Sequence, residues 1–459
     1  MKILILSIVL VLTFYLPQKA QAQVNAQDSL ALIALYNSTD GANWNNPWNI
    51  SQPVSTWIGV TIDSSGRVTR LYLSYRNLVG IVPSEIGNFT ELTHLSIMGN
   101  TGLTGTIPSE IGNLLNLFAI DFSYNPNLTG TIPIEIGNLI NLHYLRIDNC
   151  SLSGTIPDII CNIPNLQTLS FFNNQLSGSL PDSIGKLVNL SSLMIGYNDI
   201  NGVPTSISSL INLSELSLSS NPIDSLPANM FDNFVNLGSM LLWIDGCGIK
   251  EIPYIPPGSY NAIKISRNKL TFEDIEPLLA YNYNYFDFTY YPQDSVLNAI
   301  DTTIHAGDTL VLSSLVGGQY NYYLWKRNIF NIAYGTNPCY VIQNANINHS
   351  GTYYCVITNT LATDLTLYRR PVKVTVDTST SNSENKYSEK DIIYYNAENN
   401  TIYFNHTGNI NEIVISDLYG RTIYKYNGNS RPAYYVLPEW NAYIVKVTTL
   451  NGVFTKKIF

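Results

Sequence analysis

The sequence predicts a multi-domain chain: an α/β solenoid with a parallel sheet on its concave face, followed by two all-β, sandwich-like modules. Three observations predict it. Between Val68 and about Leu279 one pattern recurs roughly nine times at a spacing of 23 to 25 residues, as in Leu142-His-Tyr-Leu-Arg-Ile-Asp-Asn-Cys-Ser-Leu-Ser-Gly-Thr-Ile-Pro157. A period of that length marks stacked coils, each burying its apolar face only against its neighbours. Composition then shifts, since 23 of the 32 tyrosines follow residue 280, which suits β-rich modules. Finally, the polar stretch Asp377–Asp391 reads as a linker before a last module of about 68 residues.

Taken in order, Met1-Lys2, the apolar run Ile3–Leu16 and Ala20-Gln-Ala22 read as a secretory signal peptide over residues 1–22. That run is too short to span a bilayer, so no transmembrane segment is expected after cleavage. Residues 23–67 are expected to cap the solenoid, because a terminal coil would otherwise turn its apolar face to water. Asp28–Tyr36 supplies an amphipathic helix, and Trp44, Trp48 and Trp57 supply bulk.

Within residues 68–289 the pairs Leu95/Ile97, Ile120/Phe122, Leu145/Ile147, Leu169/Phe171, Leu193/Ile195 and Leu216/Leu218 alternate with exposed residues, the signature of a short strand with one buried face. Three residues beyond the second apolar position stands Asn100, Asn125, Asn174, Asn198, Asn221 or Asn268. A carboxamide both donates and accepts, so a column of them can satisfy turn backbone buried between coils. Arg76 fills this slot in the first repeat and Cys150 in the fourth. In the irregular repeat around Trp243–Ile249 either Asp245 or Cys247 takes it. Phe272–Ala280 is expected to close the array as a short helix.

These residues resemble the leucine-rich repeat family. The continuations Leu103-Thr-Gly-Thr-Ile-Pro108, Leu128 to Pro133, Leu152 to Pro157 and Leu176 to Pro181 are similar to its plant-type subclass, over about 210 residues. Residues 23–67 are similar to the cap of such repeats but lack its usual cysteines. Residues 293–377 contain Thr309-Leu-Val-Leu312, Trp325 and Ser350-Gly-Thr-Tyr-Tyr-Cys355, which resemble an immunoglobulin-like domain. The resemblance makes Trp325 its core tryptophan and Tyr353 its corner tyrosine, while Leu312 stands where the partner cysteine would be. Residues 378–391 are the linker. Residues 392–459 resemble the type A C-terminal sorting domain of the type IX secretion system of certain Gram-negative bacteria. The motif residues are Asp417, Gly420 and Arg421, then Tyr443, then Lys456 and Lys457, with Asn441 in place of the usual glycine. That resemblance implies passage across both membranes with the secretion machinery as partner, loss of the last module, and release or display at the outer-membrane surface.

The net charge of −9 is uneven, residues 68–280 holding 8 Lys/Arg against 17 Asp/Glu. Most of that acidity has a local reason. Glu85, Glu110, Glu135, Asp158 and Asp182 follow the repeat prolines, at first-turn positions of a convex helical segment where an acid favours the helix dipole. The lack of a basic patch argues against nucleic acid. The five cysteines make no C-x-x-C and no metal pattern with the five histidines, so buried thiols are expected, a Cys150–Cys161 bridge being the exception. No phosphate loop, nucleophile elbow or zinc-protease motif occurs, and no cofactor or enzymatic activity is expected.

What remains is the concave face. Tyr124, His143, Tyr144, Arg146, Asp148, Phe172 and Tyr197 gather on adjacent coils about 4.8 Å apart. Aromatic residues and arginine dominate binding hot spots. The expected function is therefore recognition or adhesion at the cell surface or after release, through a protein or glycan ligand. Cross-strand stacking of tyrosines is the plainer reading of the same residues, and a matrix component without a discrete ligand is the alternative function.

Overall fold

The first described element is helix α1 (Ala26–Ser38), capped by the Asn25 side chain, which accepts from the Gln27 N–H. The computed structural model describes residues 24–459 except 235–238, 257–258, 281–283, 379–392, 397–400, 405–409, 418–421, 428–433, 438–442, 450–451 and 459. The signal-peptide and linker readings fall outside these residues. The chain divides into two units, residues 1–265 with 283–289, and residues 266–282 with 290–459.

In the first unit α1 buries Ala31, Leu32 and Leu35, and Trp44, Trp48 and Trp57 are buried beside it. The Trp48 and Trp57 rings stack with centroids 4.8 Å apart. Asp28 is fully buried. Its carboxylate accepts from Arg67 Nε and Nη2 at 3.0 and 2.9 Å and from the Val68 N–H at 2.7 Å. A buried charge is tolerable only with such a full set of donors. Strand Val60–Ile62 runs antiparallel to Val68–Tyr72, so the cap also covers the sheet edge.

From Val68 the strands of an eleven-stranded sheet follow one another in parallel: 68–72, 94–96, 119–121, 144–146, 168–170, 192–194, 215–217, 240–243, 259–264 and 284–289. The register is constant, with Arg70, His94, Ala119, Tyr144, Thr168, Ser192 and Glu215 in one row and Tyr72, Ser96, Asp121, Arg146, Ser170, Met194 and Ser217 in another. Leu95, Ile120, Leu145, Leu169, Leu193 and Leu216 lie between these rows and are buried.

Two features differ from expectation. The Leu-x-Gly-x-Ile-Pro segments form a second parallel sheet of six strands, through 79–81, 102–106, 128–131, 151–154, 175–179 and 199–202. The convex segments are 3-10 helices of three to five residues. Glu85, Glu110, Glu135 and Asp158 occupy their first turns as expected, but Asp182 does not, because Ser183 is the cap of Ile184–Lys186.

The amide column joins the coils. Asn125 Nδ2 donates to Phe122 O at 2.6 Å and to Ile97 O at 3.2 Å, and its Oδ1 accepts the Asn100 N–H at 2.8 Å. Asn198 and Asn221 repeat the pattern. Cys150 reaches the Phe122 carbonyl with its thiol at 3.4 Å, and Cys247 reaches Leu218 O at 3.3 Å in the same way. Cys247, and not Asp245, therefore holds the slot in the irregular repeat. None of the five cysteines is in a disulfide, which removes the Cys150–Cys161 exception. A second column went unread in the sequence: Asn116, Asn141, Asn165, Asn189 and Asn212 each donate to a carbonyl of the preceding coil at 2.8 to 3.2 Å.

In the second unit α2 (Phe272–Ala280) precedes a β-rich region. One sheet there runs 300–305, 372–377, 351–359, 321–327, 330–335, with 366–368 on strand 351–359, and strands 310–313 and 339–342 form a separate pair. Trp325, Tyr353, Cys355 and Leu312 are buried together with Ile357 and Val374. Tyr353 Oη donates to His349 O at 2.8 Å. The Glu276 carboxylate of α2 accepts the Gln319 N–H at 2.9 Å and Asn359 Nδ2 at 2.6 Å, fastening this helix to the β region. Further on, strands 393–396, 401–404 and 434–436 form a three-stranded sheet, and 422–427, 410–417, 443–449 and 452–458 a four-stranded one. Ile402, Ile413, Ile415, Leu437, Tyr443, Val445 and Val447 form their buried cluster. Of the sorting-motif residues, Asp417 pairs with Tyr443, Lys456 with Val445 and Lys457 with Ile444 in register, while Gly420 and Arg421 lie outside the described residues.

Candidate ligand-binding face

Each coil turns sharply at the residue just before the amide column, and that residue lies in the left-handed region. The slot holds Tyr75 (φ 57°), Gly99 (74°), Tyr124 (60°), Asn149 (53°), Asn173 (55°), Tyr197 (57°), Ser220 (53°), Gly246 (68°) and Arg267 (54°). Glycine and asparagine suit it, whereas a bulky side chain there costs on the order of 1–2 kcal/mol. Yet three tyrosines occupy it, with 60, 53 and 47% of their surface exposed at Tyr75, Tyr124 and Tyr197. Gly99 makes room for the first, since a Cβ on it would meet the Tyr75 ring at 2.4 Å.

The structure divides the seven candidate residues. Tyr124, Arg146, Asp148 and Phe172 line one depression of about 310 Å³, together with Asn149, Thr168, Ser170, Ser192, Met194 and Glu215. Thr168, Ser170 and Ser192, small polar residues buried on adjacent strands, make part of its lining. Arg146 is exposed and makes no ion pair or side-chain hydrogen bond among the described residues. Phe172 leans on Tyr197 with ring centroids 5.0 Å apart.

His143 and Tyr144 do not line that depression. They belong to an aromatic row one column over, in which Tyr72, His94, Phe118 and His143 follow at centroid separations of 6.2, 5.4 and 4.3 Å. Tyr144 Oη donates to Gln167 Oε1 at 3.0 Å. The Phe118 and His143 rings stack on each other, so these faces are already used. Burial and the neighbouring Arg70 hold the His94 imidazole below its ordinary pKa.

Asp148 carries more local structure than its sequence context suggests. Its Oδ1 accepts Ser170 Oγ, and the Phe172 N–H at 2.9 Å, both from the next coil. Burial pushes its carboxyl above the ordinary range; the two donors pull it back, Asp121 raises it further, and Arg146 lowers it. It is thus a brace of the turn as well as a charge in the depression. Sequence reasoning missed Glu215 and Phe118. Extending the row Arg70, His94, Tyr144 by three coils reaches Glu215, whose Oε2 accepts Ser192 Oγ at 2.7 Å. Among the described residues no group of three or more His, Cys, Asp or Glu is placed to hold a metal ion. No described helix is long and apolar enough to cross a membrane.

Comparison with known proteins bears on the repeats. Residues 134–241 match the family model of the leucine-rich repeat region. Over 95 residues the chain is 36% identical to a probable leucine-rich repeat receptor-like protein kinase of Arabidopsis thaliana, an overlap covering 20% of this chain and 10% of that protein. The chain therefore spans a small part of the curated relative it matches. Among solved structures it is similar to PEPR1-AtPEP1 (25% identity, TM-score 0.45, covering 60% of this chain and 38% of that one). It is also similar to a plant ice-binding protein (21% identity, TM-score 0.46, 61% and 89%) and to the BIR3–SERK2 complex from Arabidopsis thaliana (29% identity, TM-score 0.33, 38% and 95%). The stacked coils at the centre of this chain are a leucine-rich repeat region of the plant type.

Proposed function

We propose that this chain is an exported recognition protein that binds a protein or glycan through the exposed face of its eleven-stranded sheet. One observation carries the reading. Tyr75, Tyr124 and Tyr197 sit at a backbone slot that neighbouring coils give to Gly99, Asn149 and Asn173, and they leave much of their rings in water. Outliers of this kind gather at ligand clamps, where the strain serves the site. Tyr124 itself lines the depression with Phe172, Arg146 and Glu215, and Tyr197 packs on Phe172, on strands that are already ordered, so binding needs little rearrangement.

Around this core we place the finer parts of the reading. Residues 1–22 direct export, residues 293–377 form an immunoglobulin-like spacer or second site, and residues 392–459 are a type IX sorting module removed during display or release. The pairing of Asp417 with Tyr443 and the buried Ile413–Val447 cluster support a folded β module there. The buried Trp325 and the Tyr353 Oη bond to His349 O support the immunoglobulin-like assignment.

The test is a binding screen of the full chain on protein and glycan arrays beside a Tyr124→Asn/Arg146→Ala/Phe172→Ala variant. Asparagine in place of Tyr124 keeps the left-handed turn, so the variant folds. A saturable hit lost in the variant supports the sheet face as the site. A hit that survives it refutes this site. If nothing binds the native chain, the surface-matrix reading takes its place.

A further inference from the structure

Two groups stand out among the acids of the repeats. Glu85, Glu110, Glu135 and Asp158 sit in convex first turns, where the helix ends give them a local role. Asp121, Asp148 and Glu215 do not. Asp121 and Glu215 are borne on strands of the large sheet and Asp148 on the turn after one, all at the depression or beside it. Asp121 is the cross-strand partner of Arg146. The neighbourhood thus holds three carboxylates and one guanidinium.

We propose that the depression takes a basic side chain, a guanidinium or ammonium group on an extended protein segment, and that Glu215 selects it. This rests on the binding-face reading above and narrows its ligand from protein or glycan to a basic protein segment. Size agrees: about 310 Å³ is at the low end for ligand sites, room for one long side chain and little more. The rim agrees as well. The Tyr124 and Phe172 rings border the depression, and an aromatic face within about 6 Å attracts a cation. A neutral sugar could donate hydroxyl hydrogen bonds to these carboxylates but would leave their charge uncompensated, whereas a guanidinium or ammonium supplies both. Arg146, with Asp121 across the strand pair, stays available for an acidic neighbour of that basic residue.

The experiment is fluorescence anisotropy on the full chain with a labelled Gly-Ser peptide carrying spaced arginines, its glutamine counterpart, and maltohexaose as competitor. The arginine peptide is expected to bind saturably, and the glutamine peptide about tenfold more weakly, a difference of about 1.4 kcal/mol. Glu215→Gln, which keeps an acceptor for Ser192 Oγ, should weaken the arginine peptide about fivefold or more and leave the glutamine peptide unchanged. Glu85→Gln removes the same charge from the convex side and should change nothing. Equal binding of both peptides, no binding of the arginine peptide, displacement by maltohexaose, or equal losses in Glu215→Gln and Glu85→Gln each overturn the basic-ligand proposal. The underlying reading fails separately. If array hits vanish in Tyr124→Asn/Phe172→Ala but ignore Glu215→Gln, the face stands and only the ligand class falls. If hits ignore both, the face falls too.

Discussion

Replacing Cys150 by asparagine tests the account of what joins the coils. In neighbouring turns the ladder amide does two things. Its Nδ2 holds carbonyls of its own and the preceding coil, and its Oδ1 accepts an N–H from the preceding turn, as Asn125 does for Asn100 at 2.8 Å. Cys150 has only long thiol contacts, 3.4 Å to Phe122 O and 3.5 Å to Asp148 O, and offers no amide oxygen to the turn at Asn125. Cys150→Asn replaces these contacts with carboxamide bonds and adds an acceptor. At about 0.5–1.5 kcal/mol net per hydrogen bond the gross gain is roughly 2 kcal/mol, and ordering the new side chain returns about 1 kcal/mol. The expected net gain is about 1 kcal/mol, or about 2–4 °C in Tm for a unit of this size. Urea and thermal unfolding followed by circular dichroism measure it. The converse change, Asn125→Cys, strands buried backbone groups and should cost about 2–3 kcal/mol. A Cys150→Asn protein destabilised by more than about 1 kcal/mol, or an Asn125→Cys protein of native stability, would refute the ladder reasoning.

Other outcomes follow from the same geometry. Gly99→Ala combines a φ of 74° with a Cβ placed 2.4 Å from the Tyr75 ring; it should cost about 2 kcal/mol or more, and a Tyr75→Ala background should remove the clash but not the roughly 1–2 kcal/mol of backbone strain. Because burial holds the native Asp148 carboxyl above its unfolded value of 3.8, its protonated form favours folding at low pH. That contribution falls as pH rises from the unfolded value to the native one, and Asp148→Asn should flatten the fall and raise Tm at pH above it. Burial pushes the Cys150 thiol up to about 12 and those of Cys247 and Cys355 to about 11, so an aromatic disulfide reagent at mild alkaline pH should label them only after unfolding; prompt native-state labelling mapped to these three, as opposed to the half-buried Cys339, would contradict their burial. Arg67→Met leaves the Asp28 carboxylate buried with one donor and should cost about 3–5 kcal/mol by urea unfolding.

The strands of the large sheet were legible because one buried face enforces alternation, and Leu145/Ile147 or Leu193/Ile195 cannot be read otherwise. The ladder asparagines were legible for a similar reason, a polar residue at fixed distance from a buried pair. The second sheet was not. Its strands contain Gly105, Gly130 and Gly154 at φ of 78, 85 and 80°, which read locally as turns, and their pairing comes from the neighbouring coil. At the site, residue chemistry grouped Tyr124, Arg146 and Phe172, and these three line one depression. It could not show that Asp148 braces Ser170 and Phe172, because those partners are 22 and 24 residues away. Nor could it show that Tyr124 and Tyr197 occupy left-handed backbone, although their place just before a ladder asparagine was the signal.

Tyrosines that stack across strands would be accounted for by packing, as Phe118 and His143 are by their 4.3 Å contact. Of the left-handed tyrosines, Tyr197 has such a contact with Phe172 at 5.0 Å and Tyr75 lies over Gly99, whereas Tyr124 has no ring partner among the described residues. At Tyr124 the fold is served as well by asparagine, as at Asn149 and Asn173, and the ring it gains is more than half exposed. Acidity divides along the same line. Convex acids answer to helix ends, while Asp121, Asp148 and Glu215 bring negative charge to a strand face whose rows also carry Arg70, Arg146 and small residues such as Ala119, Ser170 and Ser192. Net charge alone therefore says little about a partner here; the charge that matters is the part borne on the sheet face, where Asp121 accepts the Ser123 N–H, Asp148 braces the next coil and Glu215 accepts Ser192 Oγ, and it lies beside the exposed Tyr124 ring.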